Sequence, residues 1–460
     1  MEKIILLHTN DLHSHLENWP KIRRFLHERR AEKQAQNNFV ITVDLGDFVD
    51  RSHPLTEATN GQANVTLMNQ IGYDAVTIGN NEGVGNSKFD LNHLYDEANF
   101  DVILDNLYDK QTLQVPDWAQ QYKIMESAAG TKIGLIGFTA PFPLTYHPNG
   151  WDIRQVFDIL PDLVASLRPK VDVLILLSHL GVGADRKIAK ELPAIDVILG
   201  SHTHHLFEHG EQDGRVQLAA AGKYGRYVGE VQVELDDAHQ IVHTQAETFA
   251  TEKMLELPED QAEITGYLKK GHHLLAEAKV ADVPFKLTTA LDSEHPLIEI
   301  ALKAVKERAK TEAAILNSGL FLKDIPAGLV DQDQLHTALP HPMHLIKVTL
   351  SGSDLIRLIL EMEKNRHFLL HFPVLGMGFR GKVFGQLVYD GISYDAVNHI
   401  VRFLGEPVDP DGTYTLATVD HYMFVPFFPT IEIAGQTEFL FPEFIRSVVA
   451  DYLNAHYPIK

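Results

Sequence analysis

The chain has 460 residues, 45% hydrophobic and 22% charged, which at roughly 150 residues per domain indicates two or three domains with sizeable cores. Lys and Arg number 40 against 62 Asp and Glu, a net charge of −22, which disfavours general binding to nucleic acid or anionic membranes. The absence of cysteine excludes disulfides, Cys-ligated zinc and thiol catalysis, and no apolar run reaches the ~18 residues of a membrane span.

The N-terminus, MEKIILLHTNDLHSH, carries one Lys and a short apolar run from Ile4 to Leu7. A secretory core needs about 7 to 15 apolar residues, so the run reads as a first β-strand and the expected location is cytoplasmic. Up to about residue 240, short Ile/Val/Leu runs alternate with helical patterns. The runs are KIILLHTND, NNFVITVDLGD, YDAVTIGN, FDVILDN, TKIGLIGFT, VDVLILLSHLG, AIDVILGSHTH and GRVQLAAAG. Helix-like stretches lie between them, such as Lys21 to Gln34 and Gln155 to Leu167. Buried strands alternating with helices predict an α/β layer structure, in which ligands gather beyond the carboxyl ends of the strands.

From Tyr227 to Glu247 apolar and polar residues alternate, as suits antiparallel edge strands. Pro258 to Lys279 reads as a polar, amphipathic helix, weakened by Gly266 and Gly271, that bridges two domains. The expected division is therefore 1–250, a linker helix at 251–280, and 281–460. The last part reads as a second α/β unit with helices near 295–312 and 351–365.

Five predicted strand ends carry ligand-type side chains: Asp11 and His13 in NDLHSH, Asp47 in DLGDF, Asn80 in IGNNE, His179 in LLSHLG, and His202 with His204 in GSHTHH. In extended chain, positions i and i+2 point the same way, so two of these motifs aim paired ligands into one cleft. Mixed oxygen and imidazole donors suit Mn, Fe or Zn better than Ca. Seven ligands exceed the needs of one tetrahedral ion and suit two divalent metal ions. Taken singly, Asp47 reads equally well as a helix cap and Asn80 as a turn residue. Five motifs, each at a strand end, outweigh that reading.

The order DxH, GD, GN, SH, GSHTH resembles the dinuclear, calcineurin-like metallophosphoesterases of the 5′-nucleotidase family, over roughly residues 1–240. The opening NDLHSHLENWPKI is similar to a cytosolic bacterial subgroup. The resemblance implies an αββα sandwich followed by a C-terminal α/β substrate domain. It also implies one metal held by Asp11, His13, Asp47 and His204, and another by Asp47, Asn80, His179 and His202, with Asp47 bridging. Two such ions hold a nucleophilic hydroxide and neutralise phosphoryl oxygens during in-line attack.

One position departs from the family. Where catalytic members read GNHE, this chain reads GNNE, with Asn81 in place of the histidine. Asparagine donates hydrogen bonds but cannot deliver a proton near neutral pH. His205 and His53 are candidate substitutes, and Asp90 is a displaced candidate for the usual orienting acid. In the second unit, ILNSGLF is similar to the family's Asn–Gly turn at Asn317 to Gly319, but Leu320, Phe321 and Leu322 stand where an arginine often follows. The family grips a nucleobase between two aromatic rings. Phe384 and Tyr422 are the expected pair, with Phe379 and Phe424 in reserve and Arg380 and Lys382 as phosphate contacts.

The expected function is a two-metal phosphoester hydrolase for small nucleotides, of 5′-nucleotidase or 2′,3′-cyclic-nucleotide phosphodiesterase type. The alternative is a metal-bearing nucleotide-binding or sensing protein whose catalysis is weakened at Asn81. A general nuclease conflicts with the charge.

Overall fold

The computed structural model describes residues 1–459 except 375 and 377. The chain divides into two compact units, Met1–Gly271 and His272–Lys460.

The first unit is built on two sheets. One has seven strands, in the order Ile241–Ala250, Tyr227–Leu235, Glu2–Thr9, Phe39–Asp44, Ala75–Val76, Asp101–Ile103, Ala119–Gln120. The other has six: Glu211–Asp213, Val216–Ala219, Val197–Gly200, Val173–His179, Lys132–Thr139, Tyr122–Glu126. Central pairs are parallel, while Tyr227–Leu235 and Ile241–Ala250 run antiparallel at one edge.

Side-chain alternation explains the layering. In the first strand Ile4 and Leu6 enter a core shared with Ile133, Leu135, Val173, Ile175 and Leu177 of the other sheet. Ile5 and Leu7 face the opposite way, into a core with Trp19, Ile22 and Leu26 of the helix Trp19–Ala35. On the second sheet Leu174 and Leu176 turn outward to Leu160, Val164 and Leu167 of the helix Val156–Leu167. A period of two thus buries both faces of each strand and yields helix, sheet, sheet, helix.

The predicted bridging helix spans Asp260–Glu277, with the unit boundary inside it. Its first turns belong to the first unit. Arg23 donates to both Glu263 oxygens (2.7 and 2.9 Å) and Arg24 to both Asp260 oxygens (2.8 Å each).

The second unit holds a mixed five-stranded sheet, in the order Leu387–Asp390, Ala313–Asn317, Thr413–Val419, His344–Ser351, Gln436–Phe444. The helices Leu297–Ala309, Gly352–Leu369 and Ile445–His456 pack on it in a single core. Among the described residues no helix is long and apolar enough to cross a membrane.

Candidate metal centre

Register brings the ligand residues into line. Thr9 pairs with Asp44 and Asp44 with Val76 in one sheet, while Ser178 pairs with both Phe138 and Gly200 in the other. The chain therefore leaves neighbouring strands at one level, with Asp11, Asp47 and Asn80 from the first sheet and His179, His202 and His204 from the second.

Two glycines permit the closest approach. A Cβ on Gly46 would lie 2.2 Å from Gly79 N, and one on Gly79 would lie 2.0 Å from Asp47 Oδ1. The LGD and IGN turns meet only because neither position carries a side chain. Glu82 then locks them, accepting from the N–H groups of Asp47 (2.9 Å), Val49 (2.8 Å) and Gly79 (2.8 Å). Burial, with the Asp47 charge nearby, pushes the Glu82 carboxyl up to about 7.

The ligand atoms form two groups, Asp11 with His13 and His204, and Asp47 with His179 and His202, each within 4.8 Å internally. Asp47 Oδ2 lies 3.7 Å from His13 Nε2 and 3.4 Å from His179 Nε2, between the groups. The paired motifs depart from expectation in one respect. Asp11, His13, Asp47, His202 and His204 all adopt left-handed backbone, with φ between 49° and 71°, rather than extended chain. His202 and His204 consequently serve different groups.

Neighbouring contacts fix orientations. His179 Nδ1 donates to Leu45 O (2.8 Å), which turns Nε2 towards Asp47. The His202 N–H lies 3.1 Å from both Asp11 oxygens, and Asn10 Nδ2 donates to Asp11 Oδ2 (2.8 Å). Burial opposes charge on both members of the Asp47–His179 pair. Their mutual attraction outweighs it, holding the Asp47 carboxyl below its ordinary range and lifting His179 to about 10. A cation seated there would have to displace the His179 proton.

The donor set fits divalent ions. Asn80 Oδ1 is buried with no hydrogen-bond partner, an unfavourable state for an atom without a ligand, and His179 Nε2 has only the Asp47 carboxylate, at 3.4 Å.

The sequence comparisons agree with that geometry. Calcineurin-like phosphoesterases match residues 4–206, and the 5′-nucleotidase C-terminal domain matches residues 275–424. The uncharacterized metallophosphoesterase YunD of Bacillus subtilis is 36% identical, over 98% of both chains. This chain belongs to the calcineurin-like metallophosphoesterases. A 5′-nucleotidase of Vibrio vulnificus is 25% identical over 77% of this metallophosphoesterase and 74% of its own length. The solved NAD nucleotidase of Haemophilus influenzae shares the fold, with a TM-score of 0.65 at 16% identity, covering 99% of this chain and 96% of that one. The family makes the chain a metal-dependent phosphohydrolase that uses divalent metals.

Asn81 lies among the candidate ligands of this metallophosphoesterase. Its N–H donates to Asp47 Oδ1 (2.7 Å), its Nδ2 to His13 Nδ1 and Val49 O (2.9 Å each), and its Oδ1 accepts from Asn80 Nδ2 (3.2 Å). The candidate substitutes have other partners. His53 caps the helix Pro54–Ala58, His205 Nδ1 contacts Thr203 Oγ1 (3.0 Å), and Asp90 is held by Ser87 and Asn60.

The expected base-stacking pair is corrected. Phe384 and Tyr422 are fully buried with ring centroids 5.6 Å apart, so neither offers a face to a base. Asn317, also fully buried, joins them by donating to Phe384 O (2.5 Å) and accepting from Tyr422 OH (3.0 Å). Of the reserves, Phe379 is buried between His341 and His421, and Phe424 is 54% exposed. Arg380 folds back on Phe379 O (3.2 Å).

Two features beside the ligands escaped the sequence reading. Phe142, 40% exposed, lies 5.7 Å from the His202 ring. Tyr224 lies 5.7 Å from the His13 ring. Both sit in Gly- and Pro-rich loops whose placement depends on distant pairing.

Proposed function

We propose that this metallophosphoesterase hydrolyses phosphoester bonds of small nucleotides, with two divalent ions (Mn, Zn or Fe) shared across Asp47. Asp11, His13, Asp47 and His204 would hold one ion, and Asp47, Asn80, His179 and His202 the other. When bound, such ions supply an activated water and neutralise phosphoryl oxygens. The observation that carries this reading is the position of Asp47 Oδ2 between the two groups, in reach of His13 and His179 and beside the unpartnered Asn80 Oδ1.

Leu45 O fixes the His179 tautomer, and the His202 N–H with Asn10 holds the Asp11 carboxylate open to a cation. Asn81 is a positioning residue in this reading, because its carboxamide is engaged with His13, Asn80 and Val49. No proton donor then stands at the family's histidine position, which favours substrates whose leaving group departs unprotonated, such as phosphoanhydrides and cyclic phosphates.

The test is phosphate release with Mn²⁺, using nucleoside 5′-monophosphates, 2′,3′-cyclic nucleotides with a coupling phosphatase, and nucleotide pyrophosphates. Turnover abolished by EDTA and by Asp47→Asn is the expected result. Silence across the panel from protein carrying two ions per chain would favour the sensing alternative, to which the engaged Asn81 lends support. In that case Asn81→His should restore turnover, by about 10²- to 10⁴-fold where leaving-group protonation limits the rate.

A further inference from the structure

Among the described residues fourteen non-glycine residues have left-handed backbone, and seven of them gather at the metal centre: Asp11, His13, Ser14, Asp47, His202, His204 and Tyr224. Five are ligands and Ser14 is the neighbour of one. Tyr224, with φ 61°, has no part in the reading so far. Strained backbone of this kind persists only where surrounding structure imposes it, and it clusters where function needs it.

The strain at Tyr224 is imposed from several sides. Its N–H donates to the backbone carbonyl of Asp11 (2.8 Å), Asn10 Nδ2 donates to Gly222 O (2.7 Å), and Gly222 N–H donates to His205 O (2.9 Å). The segment 222–224 is thus bound to both ligand-bearing loops. The Tyr224 ring stacks on His15 at 3.8 Å and meets His13 edge-on at 5.7 Å. Lys223 Nζ lies 4.5 Å and Arg226 Cζ 5.6 Å from the ring centroid. Among the described residues no carboxylate pairs with Lys223 or Arg226.

The ring is therefore occupied by His15 and attended by two cations, which makes the segment Lys223 to Arg226 a receptor for an anion rather than for a base. Its position is one-sided. It flanks the His13/His204 group, whereas the His179/His202 group is flanked by the exposed Phe142 ring. Asp11, Asp47, Asp50 and Glu82 crowd the centre. Bound metal ions would offset that charge for the reacting phosphoryl group, and a second one beyond their reach would need cations of its own.

The geometry points to a subsite at Lys223 and Arg226, held by Tyr224, for the non-reacting phosphoryl group of a nucleotide phosphoanhydride. This rests on the hydrolase reading above and narrows its substrate class. In the reaction a water oxygen bonds to the phosphorus at the metal centre and the anhydride P–O bond breaks. The electron pair leaves on the oxygen of the departing phosphate, while the water proton passes to solvent. The departing group is stabilised by the two cations and needs no proton, which suits a site with asparagine at position 81.

The test measures binding of inorganic phosphate and of methylenediphosphonate, whose bridge does not hydrolyse, to the full Mn²⁺-loaded chain at fixed free Mn²⁺. Titration calorimetry on wild type, Lys223→Met and Arg226→Met should find the diphosphonate bound at least ten-fold more tightly than phosphate by wild type. Either substitution should remove most of that preference. Equal wild-type affinities, or equal weakening of both ligands in both variants, would overturn the subsite. Should one variant fail to fold, as judged by its melting curve, the other decides. Turnover of AMP and ADP is measured alongside. Selectivity without turnover would sink the hydrolase reading and leave the subsite standing, whereas turnover without selectivity would do the reverse.

Discussion

Asn80 and Asn317 sit in comparable settings, where a strand gives way to a short helical turn that Asn80 opens and Asn317 precedes. Their surroundings differ in kind. Asn317 has its carboxamide nitrogen on Phe384 O and its oxygen under Tyr422 OH, inside an apolar core. Asn80 has its nitrogen on Asn81, while its oxygen is buried without a partner. The core asparagine has both carboxamide atoms engaged, whereas the one at the metal centre leaves its oxygen unanswered. Unmet valence distinguishes the two asparagines better than burial or residue type.

The largest expected effect tests the unanswered side. Asp47→Asn should lower Mn²⁺-dependent phosphate release by about 10³-fold or more, the scale on which preorganised electrostatic stabilisation is lost. Metal analysis should show fewer than two ions per chain. Residual activity near wild type would mean that the two groups do not share this carboxylate.

On the closed side, Phe384→Ala should cost about 3–5 kcal/mol in denaturant unfolding, as for other buried aromatic truncations. If stability were unchanged and nucleotide KM rose instead, the ring would be a binding surface after all and the contrast would fail. Asn317→Ala leaves the Tyr422 hydroxyl without its acceptor and should cost about 2–3 kcal/mol. Asn80→Ala should lower the metal-free melting temperature much less than Asn317→Ala does, since its Oδ1 has no partner and only the 3.2 Å bond from its Nδ2 to Asn81 is lost.

Positioning effects are smaller. Asn81→Ala should weaken Mn²⁺ binding by about 10- to 100-fold in calorimetry, typical of residues that orient metal ligands. Asp420, next to the Tyr422 cluster, is pushed up to about 7 by burial while accepting from His344 N–H. Its folded-state pKa lies above the unfolded 3.8, so its stabilising contribution is complete at low pH and is lost as pH rises towards 7. Asp420→Asn should remove that decline, read as denaturant midpoints for both proteins at pH 5 and pH 7.5.

The strands were legible because Val, Ile and Leu runs buried on both faces leave little choice of structure, and the candidate ligand cluster because polar types recurred at their ends. The aromatic pair was not legible, since a ring in a core and a ring in a slot read alike until the packing around them is known. The helix Asp260–Glu277 was recognised from its pattern. Its acids Glu263 and Asp260 pair with Arg23 and Arg24 across more than 230 positions, a distance at which sequence carries no pairing signal. The left-handed ligand residues were likewise invisible, because Asp and His tolerate that backbone without glycine to mark it.

The division of ligands between the two sheets has a consequence for biogenesis. Asp11, His13, Asp47 and Asn80 emerge first from the ribosome, while the imidazoles of His179, His202 and His204 are still to be synthesised. At about 5–20 residues per second, a nascent chain presents the oxygen-rich half of the centre for several seconds before the nitrogen-rich half exists. Capture of the proposed metal pair would therefore wait for the strand Val197–Gly200 to dock, and a fragment ending before Val173 would keep every candidate carboxylate and amide ligand yet lack all three later imidazoles.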